Sequence, residues 1–313
     1  MNAPESNPTT GNQDTETDLP KSASLDTRWQ PRRLAIIGVG LLGGSFGLAI
    51  RREFPRCHIV GVSRGKASRE SAIDRGAVHE ATEDTNHACR QADLVVVSTP
   101  VDRVADIIIS IADICDENAI VTDLGSTKAT IVASVEANES ARRKFVGAHP
   151  IAGGEKTGAQ HARDDLFQNR TVVLTPTEAT DLNRVERCKV LWQQLGSRVV
   201  TMSPHDHDQA VAAISHVPHL VASLLAELPG DDPRRLAGTG WLDTTRVASG
   251  DPEMWTAICQ ENRLAIAAEL ERFAASVQQL RQTILHGKDD DLMAFLDRAK
   301  QVRDAVAKPG GDR

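Results

Sequence analysis

Residues 33–51, RLAIIGVGLLGGSFGLAIR, restrict the fold of this chain more than any other stretch. Residues 34–37 are a short aliphatic run, suited to a strand buried on both faces. Gly38, Gly40 and Gly43 then give G-x-G-x-x-G, and the apolar residues 41–50 read as a helix. The first glycine permits a tight turn, the second lets backbone approach a pyrophosphate, and the third lets helix and strand pack closely. The helix N-terminus offers free N–H groups and the positive end of its dipole to the phosphates. Strand, turn and helix in this order predict a dinucleotide site held by Gly38, Gly40, Leu41, Leu42 and Gly43.

The chain has 313 residues, enough for two domains of ordinary size. Aromatic residues make up 3% and tyrosine is missing, so the cores must be built from Leu, Ile, Val and Ala. A net charge of −7 argues against nucleic acid or an anionic membrane as a partner. Cys57, Cys89, Cys115, Cys188 and Cys259 are odd in number and show no C-x-x-C spacing, which predicts reduced thiols and a cytoplasmic protein. No apolar run reads as transmembrane and no signal pattern opens the chain. Residues 1–30, rich in polar and acidic residues, read as a disordered tail.

Residues 58–63, HIVGVS, read as a second strand, ending about 20 residues after the glycine turn, where a dinucleotide fold meets the adenosine ribose. A carboxylate there would accept from the 2′-OH and repel a 2′-phosphate. This chain has Ser63, Arg64 and Lys66 instead, with no acid between Val60 and Arg69. A hydroxyl and two cations suit a 2′-phosphate, which favours NADP over NAD. Residues 93–100 form a further buried strand, and its Ser98-Thr99-Pro100 end should lie beside the cofactor. Strands over 119–123, 171–175 and 198–202 continue an alternation with helices that predicts a mostly parallel, doubly wound sheet over residues 31–203.

Past Ser203 the pattern becomes wholly helical, over residues 204–313. Residues 204–228 are one helical stretch. A second, long helix opens at Asp251-Pro252 and carries Ile266, Leu270, Phe273, Val277, Leu280 and Ile284 at spacings of a coiled-coil seam. Gly287 ends it, and residues 291–307 form a last helix with an apolar side. About 110 residues of helix are thin cover for two such seams, so a homodimer through this region is expected.

Four clusters carry candidate chemistry. Ser126 and Lys128 end a strand at the ligand edge of the sheet. His149, in HPIAGG, sits on a constrained loop at the same edge and suits proton transfer. Ser215, His216 and His219 fall within an arc of roughly 100° on a straight helix, with Pro218 between them. His207, nine residues before His216, projects from the opposite side of that helix and ranks lower. The His205–Asp208 run suits helix-start capping better than a metal site, and no metal is expected. Arg246, read on a loop, can bind a carboxylate bidentately, and Trp255 can wall a ring-shaped pocket.

Taken together, residues 38–43, 123–128, 149–153, 207–208, 215–219 and 243–246 with Trp255 resemble the prephenate/arogenate dehydrogenases of tyrosine biosynthesis, over about residues 33–305. The resemblance implies a Rossmann-type domain followed by a helical dimerisation domain, with no fused chorismate mutase or regulatory ACT domain. It implies oxidative decarboxylation of a small cyclohexadienyl carboxylate, with hydride transfer to NAD(P). His149 would accept the ring hydroxyl proton, Ser126 would hold the hydroxyl or orient His149, and Arg246 would anchor a carboxylate. Ser215, His216, His219 and Trp255 would complete the pocket. Two other readings compete: a β-hydroxyacid-type dehydrogenase and a non-catalytic dinucleotide-sensing protein. The first would need a lysine between Ser203 and Leu228, where this chain has none. The second would need a basic patch or a helix-turn-helix, and the sequence shows neither.

Overall fold

The computed structural model describes residues 29–154 and 156–307, so the tail expected over residues 1–30 lies outside them except for its last two positions. Strands Arg33–Ile37 (β1), His58–Val62 (β2), Glu80–Thr82 (β3), Leu94–Val97 (β4), Ile120–Asp123 (β5) and Phe145–Val146 (β6) form one sheet. Its order is β3-β2-β1-β4-β5-β6, with parallel pairings throughout. The order reverses between β1 and β4, and ligands of such sheets bind outside the carboxyl ends of the strands at that reversal.

The alternation within β1 feeds two cores. Leu34 and Ile36 join Phe46, Phe167 and Trp192 on one face. Ala35 and Ile37 join Val104, Ile108 and Ile131 on the other. Both faces are covered by helix, which is why these strands read as continuous apolar runs rather than alternating ones.

The strand–helix alternation outruns this sheet. Ala148–Pro150 (β7), Thr171–Leu174 (β8) and Arg198–Thr201 (β9) form a separate three-stranded sheet, with β7 antiparallel to β8. The chain crosses between the sheets at Gly147, where a Cβ would come within 2.6 Å of Thr175 Oγ1. Alternation fixes the order of elements along a chain but not which edge each strand joins.

The second half contains Pro204–Glu227, Thr239–Thr245, Pro252–Glu261, Arg263–Leu285 and Asp289–Ala307. The long helix expected from Asp251 onward is two helices. Asn262 leaves the helical conformation at φ −111° and turns its side chain to the carbonyl of Asp208 and the ring of His216. The first of the two, Pro252–Glu261, sends Ala257 and Ile258 into the second core of the sheet half.

Pro204–Glu227 corrects the expectation that no run reaches membrane length: it is long and apolar enough to cross a bilayer by length and composition. It nevertheless buries His207, Asp208, His216 and His219, which bond or stack with both halves of the protein. The seams of the last two helices are open. Phe273, Val277, Ile284, Phe295, Leu296, Val302 and Val306 are 41–74% exposed.

Candidate active site

The glycine turn fits a dinucleotide. Gly38 has φ +97°, and a Cβ there would lie 2.3 Å from the Ser98 carbonyl oxygen. A Cβ on Gly43 would lie 2.1 Å from the Gly38 carbonyl oxygen. Both positions are therefore dictated by the protein's own backbone. A Cβ on Gly40 would meet nothing within 4 Å, so this glycine faces open space at the start of helix Leu41–Glu53, where a pyrophosphate would approach. Beside it, Thr99 Oγ1 is buried without a hydrogen-bond partner. Pro100 caps the helix Val101–Ile111.

After β2, Ser63 is half-buried and Arg64 and Lys66 are exposed. Arg69 Nη1 donates to the Ser63 and Arg64 carbonyls at 2.7 and 2.8 Å and so shapes this loop. Lys66 faces Glu70 one turn on, at 3.6 Å.

Past β5 the site becomes charged and dry. Lys128 is fully buried and its ammonium is paired with Asp123. Asp123 also accepts from the backbone N–H of Gly125 at 2.9 Å and of Ala148 at 3.0 Å. One carboxylate thus ties the loop after β5 to the strand that carries His149. His149 Nδ1 lies 2.8 Å from His207 Nε2, and His207 Nδ1 lies 2.7 Å from Asp208 Oδ1. Asp208 also accepts from the backbone N–H groups of Lys128 and Ala129, at 2.8 and 2.9 Å. These begin the helix Ala129–Glu136, so a carboxylate from the helical half caps a helix of the sheet half. Burial pushes the pKa of His149 well below the usual histidine value, and His207, Lys128 and His216 push it further. The ring is therefore neutral at neutral pH and able to take a proton.

His216 continues the network. Its Nδ1 lies 3.2 Å from Asn262 Nδ2, and burial lowers its pKa to about 4, against the opposing pull of Asp208. His219 stacks on Trp255 with ring centroids 3.5 Å apart and planes 10° from parallel. Burial lowers its pKa, opposed by a hydrogen bond to the Val247 backbone. Both side chains line an open cleft of about 750 Å³ together with Ser223, Gly250, Gln260 and Arg263. The lining of this cleft includes neither His149 nor Ser126.

The remaining candidates sit further out. Ser126 is half-buried in the loop between β5 and Ala129. Ser215 is exposed and its neighbour His216 is buried. Arg246 opens a short 3₁₀ turn, Arg246–Ser249, rather than sitting on a loop; it is exposed.

Two family models match, "Prephenate dehydrogenase, nucleotide-binding domain" over residues 46–201 and "Prephenate dehydrogenase, dimerization domain" over residues 203–298. The chain belongs to the prephenate dehydrogenase family. Prephenate dehydrogenase of Bacillus subtilis (strain 168) is 30% identical over 280 residues, covering 87% of this chain and 76% of that protein. The structure of prephenate dehydrogenase from A. aeolicus with hydroxyphenyl propionate and NAD+ superposes with a TM-score of 0.82. It is 33% identical, over 88% of this chain and 98% of that one. Synechocystis arogenate dehydrogenase superposes with a TM-score of 0.75 at 31% identity, over 88% of this chain and all of that one. As a member of this family the chain is an NAD(P)-dependent oxidoreductase with a Rossmann-type sheet domain and a helical domain.

Within this prephenate dehydrogenase fold, His207, Asp208 and Asn262 meet in ways that local sequence patterns do not mark. A straight helix would put His207 on the side opposite His216. The helix is not straight: Ala212–His216 form a π turn, which advances each residue by less than the roughly 100° of an α-helix. His207 is already Asp208's chain neighbour, and beyond the slip His216 meets the same Asn262 amide that donates to the Asp208 carbonyl. Asp208 and Asn262 join through contacts across 54 residues, which no local pattern reports.

Proposed function

We propose that this protein is a prephenate or arogenate dehydrogenase, catalysing oxidative decarboxylation of a cyclohexadienyl carboxylate. The observation that carries this reading is the half-buried His149, bonded through Nδ1 to His207 past the carboxyl end of β6, where burial favours the neutral ring. Gly38, Gly40, Leu41, Leu42, Gly43 and the Ser98–Pro100 segment would hold the dinucleotide, which when bound supplies the hydride acceptor. His149 accepts the proton of the ring hydroxyl, worth about 10²–10⁴-fold in rate. Ser126 holds that hydroxyl or orients His149. Arg246 anchors a substrate carboxylate, with Ser215, His216, His219 and Trp255 around the rest of the ring. The electron pair of the bond to the departing carbon dioxide enters the ring, and aromatisation drives the step.

Ser63, Arg64 and Lys66 support NADP over NAD as the cofactor. The open seams of the last two helices, together with the matched dimerisation domain, support a homodimer. Free thiols at all five cysteines support a cytoplasmic site of action. Steady-state rates with prephenate and arogenate, each with NADP and NAD, test the reading. Reduced cofactor should form with at least one substrate, faster with NADP. His149→Ala should lower kcat by about 10²–10⁴-fold and leave cofactor affinity unchanged. An unchanged kcat would remove His149 from the chemistry.

A further inference from the structure

We propose that Asp208 and His207 are positioning residues that set the tautomer of His149, leaving its Nε2 as the nitrogen that takes the proton. The inference rests on the reading of His149 as the base. His207 and Asp208 are 1% and 3% exposed, so water does not compete for their bonds. Asp208 Oδ1 accepts from the Lys128 N–H and Oδ2 from the Ala129 N–H. With a donor already on each oxygen, the 2.7 Å bond to His207 Nδ1 runs with the imidazole N–H donating. His207 Nε2 is then an acceptor. Its 2.8 Å contact with His149 Nδ1 requires the His149 proton to sit on Nδ1, and Nε2 keeps its lone pair.

The same chain handles the proton afterwards. A proton taken at His149 Nε2 makes an imidazolium whose Nδ1–H still points at His207. Passing that proton to His207 Nε2 leaves His149 neutral and places the positive charge against the Asp208 carboxylate. One proton enters the pair and none is lost. The charged and titratable groups around His149 are Lys128 and its partner Asp123 from the sheet half, and His207, Asp208 and His216 from the helical half. Asp208 also caps the helix that follows the Ser126–Lys128 loop, so one side chain aligns that loop and the base together.

A purely structural role for Asp208 is separable from this one. In Asp208→Asn only one of the two backbone N–H groups keeps an oxygen. With the amide oxygen on the Ala129 N–H, the Lys128 N–H bond is lost and the amide N–H donates to His207 Nδ1, so that His207 donates from Nε2 and His149 carries its proton on Nε2. Nitrogen-15 NMR of the histidine-labelled protein, with His149 assigned from His149→Gln, reads this directly. The expected result is an Nδ1–H tautomer in the parent and an Nε2–H tautomer in Asp208→Asn. With it should come a fall in kcat of about 10²–10⁴-fold at unchanged cofactor affinity. His207→Gln, whose amide oxygen can accept from His149 Nδ1–H, should lose less activity than His207→Phe. An Nε2–H tautomer in the parent, or an Nδ1–H tautomer that persists in both Asp208→Asn and His207→Phe, would overturn the proposal. Should His149→Ala keep full activity while the tautomer result stands, the base assignment and the proton relay fail and only the tautomer assignment survives.

Discussion

The two halves of this protein bury their apolar residues to different extents. In the sheet half every residue of β4 is buried, and two continuous cores run along the two faces of the sheet. In the helical half the core of buried residues is Ala212, Val217 and Ile266, while from Phe273 onward the seam of Arg263–Leu285, and the apolar side of Asp289–Ala307, expose Phe273, Val277, Ile284, Phe295 and Leu296. One half satisfies its own hydrophobic pattern. The other carries a pattern that a single copy does not cover. His149 is bonded to both: its strand belongs to the sheet half, and its ring partner His207 to the helical half.

The comparison breaks most visibly at the seam. In the homodimer proposed above, Phe273→Glu with Val277→Glu should place charges on the apolar seam of both copies and weaken self-association by about 10³-fold or more. Sedimentation equilibrium would read the change. The sheet half should still bind dinucleotide, and loss of that binding would show that it is not self-sufficient. Next in size is Lys128→Ala, which strands the Asp123 carboxylate in a dry site and should cost about 3–5 kcal/mol. Urea unfolding followed through the buried Trp192 measures it. A loss below about 1 kcal/mol would place the pair among weak surface contacts instead. The smallest effect sharpens the contrast by pH. His216 is buried neutral with a pKa of about 4, below the ordinary 6.5, so the unfolded chain takes up its proton first. Stability should be full above about pH 6.5 and fall as pH drops toward 4, and His149 acts in the same direction. His216→Gln should flatten that slope in urea midpoints, and an unchanged slope would remove His216 as a source.

Much of the sheet half was legible because its constraints are local. Gly38 and Gly43 sit where a Cβ would strike backbone, and that requirement is written in their spacing. The site was legible only in its first members. His149 announces itself through its neighbours, whereas the side of the helix that His207 takes does not follow from a straight-helix count. A π turn leaves no mark in apolar periodicity, yet it shifts the faces of every residue beyond it. The break at Asn262 was missed for a related reason: its cause is a contact with Asp208 and His216, far away in sequence.

What the sequence determined by itself is the strand–helix alternation of the first half, the helical second half, the glycine turn and the apolar seams of the last two helices. Each of these follows from side-chain size and spacing within a few neighbouring residues. What only the tertiary structure decided is the second sheet, the helix cap that Asp208 provides across the two halves, and the line of hydrogen bonds from Asp208 to His149. Those depend on donors and acceptors brought within 3 Å from distant parts of the chain, and such distances are set by packing rather than by pattern.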